Sequence, residues 1–485
     1  MKRLAPFALA AAAFLAGCID LAPAYHRPAQ PTPAQFPTGP AYAPASGQPQ
    51  GLVGWRDFFF DPKLKSVIEE ALANNRDLRV AVANIAAARA QYVVQRSDLF
   101  PKFNATASAV YGQTPYSVLS AGAAGTTPKG DYNERLYNAN VGVSAWQLDL
   151  FGKQRDLTRA SFEQYIATRA ARDAAQISLV QQVVADYLAV GEDRALLAIA
   201  RETLKSGGES LALTQARFKG GIASELDVSQ AETIVDQAKF DEARLTTQLA
   251  QDRNALELVV GAPVPESLLP TDVDSPEVVI SRLPADLPSS ALLARPDVVE
   301  AEAQLKSANA NIGAARAAFF PDISLTASGG VTSLALKSLF KSAAETWSFA
   351  PTVTQPIFDA GQNIGNLRYA KAEREASVAQ YEKAVQTAFR EVADALADRG
   401  TVEDRVAAQR ALVAADALAL KLSTARYERG ADTYLNVLIS QRSYFAAQEV
   451  LVAVELAKAD NLVTLYTALG GGLDAPTPAQ QAIAR

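Results

Sequence analysis

Leu99-Phe100-Pro101-Lys102-Phe103-Asn104-Ala105-Thr106-Ala107-Ser108 returns 220 positions later as Phe319-Phe320-Pro321-Asp322-Ile323-Ser324-Leu325-Thr326-Ala327-Ser328. Upstream, Asn75-Arg76-Asp77-Leu78 matches Arg295-Pro296-Asp297-Val298 at the same spacing. Downstream the spacing falls to 209. Phe151-Gly152 then matches Ala360-Gly361, Ala216-Arg217-Phe218 matches Ala425-Arg426-Tyr427, and Gly221 matches Gly430. Leu226-Asp227-Val228 matches Leu435-Asn436-Val437 at that spacing too. Self-similarity of this kind marks a duplicated structural unit. The chain reads as two tandem repeats, the second shortened by 11 residues between Ser328 and Gly361.

Each repeat has the same order of parts. A helix comes first. In repeat one it opens at Asp61-Pro62, an N-cap followed by proline at the first helical position, and is expected to run to Leu99. In repeat two Pro296 and Asp297 open it. Two stretches of period-two alternation follow. Phe103, Ala105, Ala107, Ala109 and Tyr111 alternate with Asn104, Thr106 and Ser108; Trp347, Phe349 and Val353 alternate with Ser348, Thr352 and Thr354. At about 10 residues each, these segments suit either a soluble sheet with one wet face or tilted membrane strands with small polar residues toward a lumen. The connecting stretches, Gly112 to Tyr137 and Gly329 to Thr346, are expected to be loops.

Long helices come next. Lys153 to Lys219 contains no proline, and a continuous helix there is about 100 Å long. Gly207-Gly208 is its weak point, at roughly 1 kcal/mol per glycine. A reversal at Gly220-Gly221 leads into a second helix from Ser224 to Val260. Repeat two runs from Gln362, reverses at Gly430 and returns to Leu469. Gly220, Gly221 and Gly430 read as left-handed helix ends. Apolar residues recur at spacings of 3 and 4, as at Ile177, Val180, Val184 and Tyr187, which makes a narrow coiled-coil-like seam.

The N-terminus carries an address. Lys2 and Arg3 precede the apolar run Leu4 to Leu15, which at about 12 residues is too short to span a bilayer. Leu15-Ala16-Gly17-Cys18 then resembles the bacterial lipobox, in which the cysteine is acylated and becomes residue one. Cleavage there removes two cations and takes the net charge from −6 to −8. Behind Cys18, eight prolines between Pro23 and Pro49 favour extended chain, read as a tether from membrane anchor to folded body.

Composition excludes much else. The chain holds one cysteine, one histidine and one methionine. A disulfide needs two cysteines, and four-ligand zinc sites need several Cys or His. A Ser-His-Asp triad would have to use His26, inside the Pro-rich stretch. The acidic net charge argues against nucleic acid. No cofactor, metal or catalytic residue is expected. Four strands cannot close a barrel in lipid, where closed barrels start at 8. Either the sheet is soluble or several chains share one barrel.

Several motifs resemble the outer-membrane efflux protein family, the TolC-like proteins, in its OprM-like lipoprotein branch. They are Trp55-Arg56-Asp57-Phe58, Asn75-Arg76-Asp77-Leu78, Arg295-Pro296-Asp297-Val298, Gln355-Pro356-Ile357-Phe358-Asp359-Ala360-Gly361 and Arg426-Tyr427-Glu428-Arg429-Gly430. The resemblance covers the mature chain to about Gly472. It implies an α+β membrane protein: a homotrimeric outer-membrane β-barrel with four strands per chain, continuous with a long periplasmic α-helical barrel. It also implies a tripartite pump, with a periplasmic adaptor and an inner-membrane resistance-nodulation-division transporter, that exports drugs or other small toxic compounds. A conduit for type I polypeptide secretion and a periplasmic coiled-coil adaptor are the competing readings.

On this reading residues 1–17 are a lipoprotein signal peptide and 18–60 a lipidated extended segment. Repeat one is 61–261, with strands about 103–112 and 138–148 and a tip about 219–224; 262–294 is an equatorial connector. Repeat two is 295–472, with strands about 322–331 and 347–357 and a tip about 429–433; 473–485 is a tail. Cys18 takes the lipid and contacts the outer membrane. Gly220, Gly221 and Gly430 mark the adaptor docking tips. The family pattern implies a periplasmic gate at Asp227, Tyr427, Leu435, Asn436 and Ile439, with Tyr427 latched to Asp227 and Leu435 at an apolar constriction. Asp227 equally fits a capping box with Ser224, and Ile439 equally fits packing against neighbouring helices. Many relatives carry aspartate where this chain has Ile439.

Overall fold

The computed structural model describes residues 20–42, 54–115, 131–271 and 289–473. The signal peptide, Cys18, most of the 262–294 connector and nearly all of the 473–485 tail lie outside the described residues. The chain divides into two compact units: residues 1–28, 86–167 and 302–379 form the first, and 29–85, 168–301 and 380–485 the second.

Helices α1 (Trp55–Phe58), α2 (Pro62–Asn74) and α3 (Arg76–Ser97) lead to strands β1 (Phe103–Pro115) and β2 (Asp131–Gln147). Then come α4 (Lys153–Lys219), α5 (Glu225–Val260), α6 (Pro296–Ala317), β3 (Asp322–Ser333), β4 (Glu345–Thr354), α7 (Gln362–Glu428) and α8 (Tyr434–Ala468). Among the described residues no helix is long and apolar enough to cross a membrane.

Three sequence expectations need correction. The helix expected to be unbroken from Asp61 to Leu99 is interrupted at Asn75, whose ψ of 131° leaves the helical region. Asn75 Oδ1 accepts from the Leu78 N–H at 2.8 Å and its Nδ2 donates to the Val259 carbonyl at 2.8 Å, so a buried cap ends α2 and starts α3. The strands also reach into the expected loops: the β1–β2 ladder extends to Pro115 opposite Asp131, and β3 extends to Ser333. Gly207-Gly208 does not break α4. A Cβ at Gly207 would stand 3.1 Å from Ile234 Cγ2, so the missing side chain lets α5 approach closely.

In the first unit the sheet runs β1-β2-β3-β4, antiparallel throughout. Strand pairing brings like residues into rows. Phe103, Val143, Ala327 and Phe349 share one face, as do Ala105, Val141, Gly329 and Trp347. The other face carries hydroxyls and amides. Ser328 and Ser348 are bonded at 2.8 Å, and Thr332 donates to Asn138 at 2.9 Å. All ten residues of β4 are exposed on both faces.

The residues behind Cys18 are not a slack tether. Asp20 to Arg27 lie along α6, antiparallel to it, over the stripe Glu302, Lys306, Asn309, Gly313 and Arg316. Arg316 and Asn309 donate to the backbone carbonyls of Leu21 (2.9 Å) and Pro23 (2.7 Å). Arg27 and Tyr25 bond Glu302 at 2.8–3.0 Å, and Asp20 pairs with Arg159 of α4 at 3.0 Å. A Cβ at Gly313 would meet Asp156 Oδ2 at 2.0 Å and Ala22 Cα at 2.8 Å, so glycine is required beneath the strap.

The second unit has a continuous apolar core. Trp55, Phe58 and Phe59 are fully buried with Leu64, Ile68 and Tyr187, and Phe58 stacks on Tyr466 with centroids 3.7 Å apart. The Trp-Arg-Asp-Phe motif is thus a core plug, worth about 3–5 kcal/mol for Trp55→Ala.

Two tests follow from these packings. Gly313→Val is expected to lift the strap and leave residues 20–27 open to hydrogen exchange and proteolysis while the sheet is retained; an equally protected strap would refute the slot. Asp193 of α4 is 5% exposed, and burial, then the facing Asp252 carboxyl, push it up to about 7. Unfolded, it titrates near 3.9. The native chain therefore holds the extra proton between these values, and its stability falls as pH rises from about 4 through about 7. Asp193→Asn is expected to flatten that part of the melting-temperature profile.

Candidate functional site

The two hairpin tips end in one hydrogen-bond pattern. At the first, Ile222 N–H donates to the Arg217 carbonyl at 2.8 Å and Gly221 N–H to that of Phe218 at 2.9 Å. At the second, Ala431 N–H donates to Arg426 and Gly430 N–H to Tyr427, both at 2.9 Å. Both are Schellman ends, with Gly221 (φ 74°) and Gly430 (φ 71°) left-handed. Gly220 does not adopt a positive φ, contrary to expectation: one left-handed residue suffices, and Gly220 continues the last helical turn through its bond to Ala216 at 3.1 Å.

The helices that follow are capped differently. Ser224 Oγ accepts from the Asp227 N–H at 3.2 Å, while Asp227 Oδ2 accepts from the Ser224 N–H and Oγ at 2.8 Å. At α8, Thr433 makes no side-chain cap. Asp432 replaces it, accepting from the Thr433 N–H (2.8 Å), Asn436 Nδ2 (2.6 Å) and Arg426 Nε (3.1 Å). The Thr433 N–H first, then Asn436 and Arg426, hold the Asp432 carboxyl below the usual carboxylate range.

Tyr427 and Asp227 are not joined within this chain. Asp227 is committed to Ser224, and the buried Tyr427 hydroxyl has no hydrogen-bond partner. The contact between the tips is Arg217, unassigned in the sequence reading. Its guanidinium lies 4.4 Å from the Tyr427 ring centroid and donates to the Tyr427 carbonyl at 2.9 Å. Tyr427 also meets Tyr434 edge-on at 5.3 Å, and Tyr434 is bonded to Ser210 at 3.2 Å. Ala231, Ile234, Tyr427, Tyr434, Val437 and Leu438 form one buried cluster. Arg217 had a signal: an arginine recurs as Arg426 at the same place in the other repeat.

Leu435 and Ile439, one turn apart on α8, are 47% and 53% exposed. Their stripe faces away from the buried Tyr434, Val437 and Leu438, and among the described residues it stays half-exposed. Phe218, Ile222 and Leu226 add exposed apolar surface at the first tip. Such apolar patches mark contact surfaces.

The chain matches the sequence model of the outer membrane efflux protein family over residues 67–262 and 287–471. It is 44% identical over 467 residues to the toluene efflux pump outer membrane protein TtgC of Pseudomonas putida, covering 96% of this chain and 95% of the relative. It is 39% identical over 472 residues to the cation efflux system protein CusC of Escherichia coli, covering 97% and 98%. The open-state MtrE outer membrane channel of Neisseria gonorrhoeae superposes with a TM-score of 0.83 at 36% identity, covering 94% of this chain and 99% of that one.

Arg217→Ala is expected to loosen the second tip by about 1–3 kcal/mol, seen as faster amide exchange over residues 425–432 with the rest of α7 unchanged. Arg217→Lys keeps the charge without the planar fork and should rescue only in part.

Proposed function

The chain belongs to the outer membrane efflux protein family, and from that premise we propose that three copies close one twelve-stranded barrel above a helical duct. The protein is the outer-membrane channel component of a tripartite efflux pump. The observation that carries the proposal is the open sheet. β1 and β4 each pair on one side only, and an unpaired edge is not tolerated in hydrocarbon. The apolar rows suit lipid and the Ser, Thr and Asn rows a water-filled lumen. Twelve strands from three copies remove every edge. Two matched stretches, one per copy of the sequence pattern, support two structural repeats in each chain.

Cys18 is the lipidation site in this proposal. Asp20, two residues on, is paired with Arg159, and the Leu21 carbonyl accepts from Arg316 near the end of α6, whose C-terminus leads into β3. A Cys18→Ser variant that still incorporates palmitate would refute it.

The tips around Gly221 and Gly430 dock a periplasmic adaptor, which couples the channel to an inner-membrane resistance-nodulation-division transporter. Leu435 and Ile439 form the periplasmic constriction, with Asn436 beside them tied to Asp432. The proposed cargo is drugs or other small toxic compounds. Deleting the gene should sensitise cells to such compounds. An unchanged sensitivity would overturn the cargo.

In planar bilayers the purified protein should conduct as a trimer and seal at rest by dewetting at two apolar rings. Ile439→Asp places three carboxylates at the axis. It is expected to raise cation selectivity and make the pore blockable by multivalent cations from the periplasmic side. A wild-type pore already blocked strongly by them would refute this constriction.

A further inference from the structure

Above the tip cluster, α4, α5 and α8 enclose a cavity of about 300 Å³ that the channel reading does not use. That is the volume of about ten liquid waters, at the lower end of ligand pockets. Ile234, Ala238 and Phe445 give it an apolar wall. Gln441 and Asp241, each 7% exposed, give it a polar one.

The polar wall leaves one buried acceptor unmatched. Gln441 Oε1 is buried with no hydrogen-bond partner. Asp241 Oδ2 accepts from Gln237 Nε2 at 3.0 Å, and Oδ1 forms an ion pair at 3.6 Å with Arg244, whose half-exposed side chain leaves that oxygen without a short hydrogen bond. The other cation, Arg442, is exposed and donates to Thr233 Oγ1 at 3.3 Å. A buried acceptor without a donor costs about 1–3 kcal/mol. A guest that donates to Gln441 and carries positive charge to Asp241 removes that penalty, while its apolar body covers Ile234 and Phe445.

We infer that this cavity is a binding site for a small organic cation, an ammonium on an aromatic or short alkyl body, held by Asp241 and Gln441. The guest touches α5 of one hairpin and α8 of the other, so it ties the two together. Ile234 belongs both to the cavity wall and to the Tyr427–Tyr434 cluster, and occupancy is felt at the tip. The site exists whether or not the channel conducts, so its test is independent of that reading.

Phenethylammonium is the probe, titrated by saturation-transfer NMR against the full-length mature protein in detergent at pH 7. Saturable binding at one site per chain is expected, with Kd on the order of 1 mM or tighter for nine non-hydrogen atoms. Asp241→Asn should weaken it about tenfold or more, and 2-phenylethanol should bind wild type at least about tenfold less tightly. Ala238→Phe fills the cavity and should abolish binding. Equal affinity for the alcohol, binding unchanged by either substitution, or no saturable binding up to about 10 mM would each overturn the proposal. Should Asp241→Asn not fold, Gln441→Leu removes the other proposed contact, and unchanged binding in it is equally fatal.

Discussion

The rest of the structure depends on the backbone of an unfinished sheet. Four strands leave two edges, and each edge presents a row of N–H and C=O groups. In water such an edge is solvated. In hydrocarbon each unpaired group costs several kcal/mol, and no side-chain contact in the chain is large enough to offset a whole strand of them. In the proposed assembly these edges meet other copies and the outer face meets lipid, which would account for features that look wrong for a lone chain. Phe349 and Trp347 stand exposed beside polar rows, and Val80, Val82, Val93 and Val94 of α3 are uncovered.

What the sequence revealed came from local rules. Period-two alternation located the strands because each row is chemically uniform. Gly221 and Gly430 announced themselves because a left-handed residue is rarely anything but glycine. The Ser224–Asp227 box was legible because its partners lie three residues apart. Other features were hidden because their partners are remote. The break at Asn75 depends on the carbonyl of Val259, 184 residues away, and a single asparagine in a helical run carries no sign of it. The strap was mistaken for a tether because α6 grips the carbonyls of Leu21 and Pro23, which have no residue-type signature. The only trace lies on the other partner, in the 302, 306, 309, 313, 316 stripe, where helical spacing selects a receiving face.

The tips show how a duplicated element diverges without losing its geometry. Both helices end in the same Schellman pattern, because the backbone demands it and glycine alone satisfies it cheaply. The return helices are free to choose their caps. Repeat one spends Ser224 and Asp227 on each other, which fixes Asp227 locally and removes it as a partner for Tyr427. Tyr427 is held instead from its face, by Arg217, and its hydroxyl is left unpaired in the buried cluster. A contact through a ring face tolerates sliding better than a hydrogen bond of fixed direction.

Repeat two reaches its cap by another route, with an electrostatic consequence. Asp432 is partly buried, and its oxygens are taken by the Thr433 N–H, Asn436 and Arg426. The guanidinium balances its charge within a few ångströms, so its field is that of a dipole and fades faster than that of a lone carboxylate. Asn436 is likewise turned toward its own loop. The part of α8 left without a partner is then the Leu435–Ile439 stripe, apolar and one turn apart. In the proposed assembly, a narrow axis lined by that stripe would have neither free charge nor a free amide in its first turn to hold water. On that proposal its resistance to ions would follow from the poor wetting of the side chains that the cap leaves over.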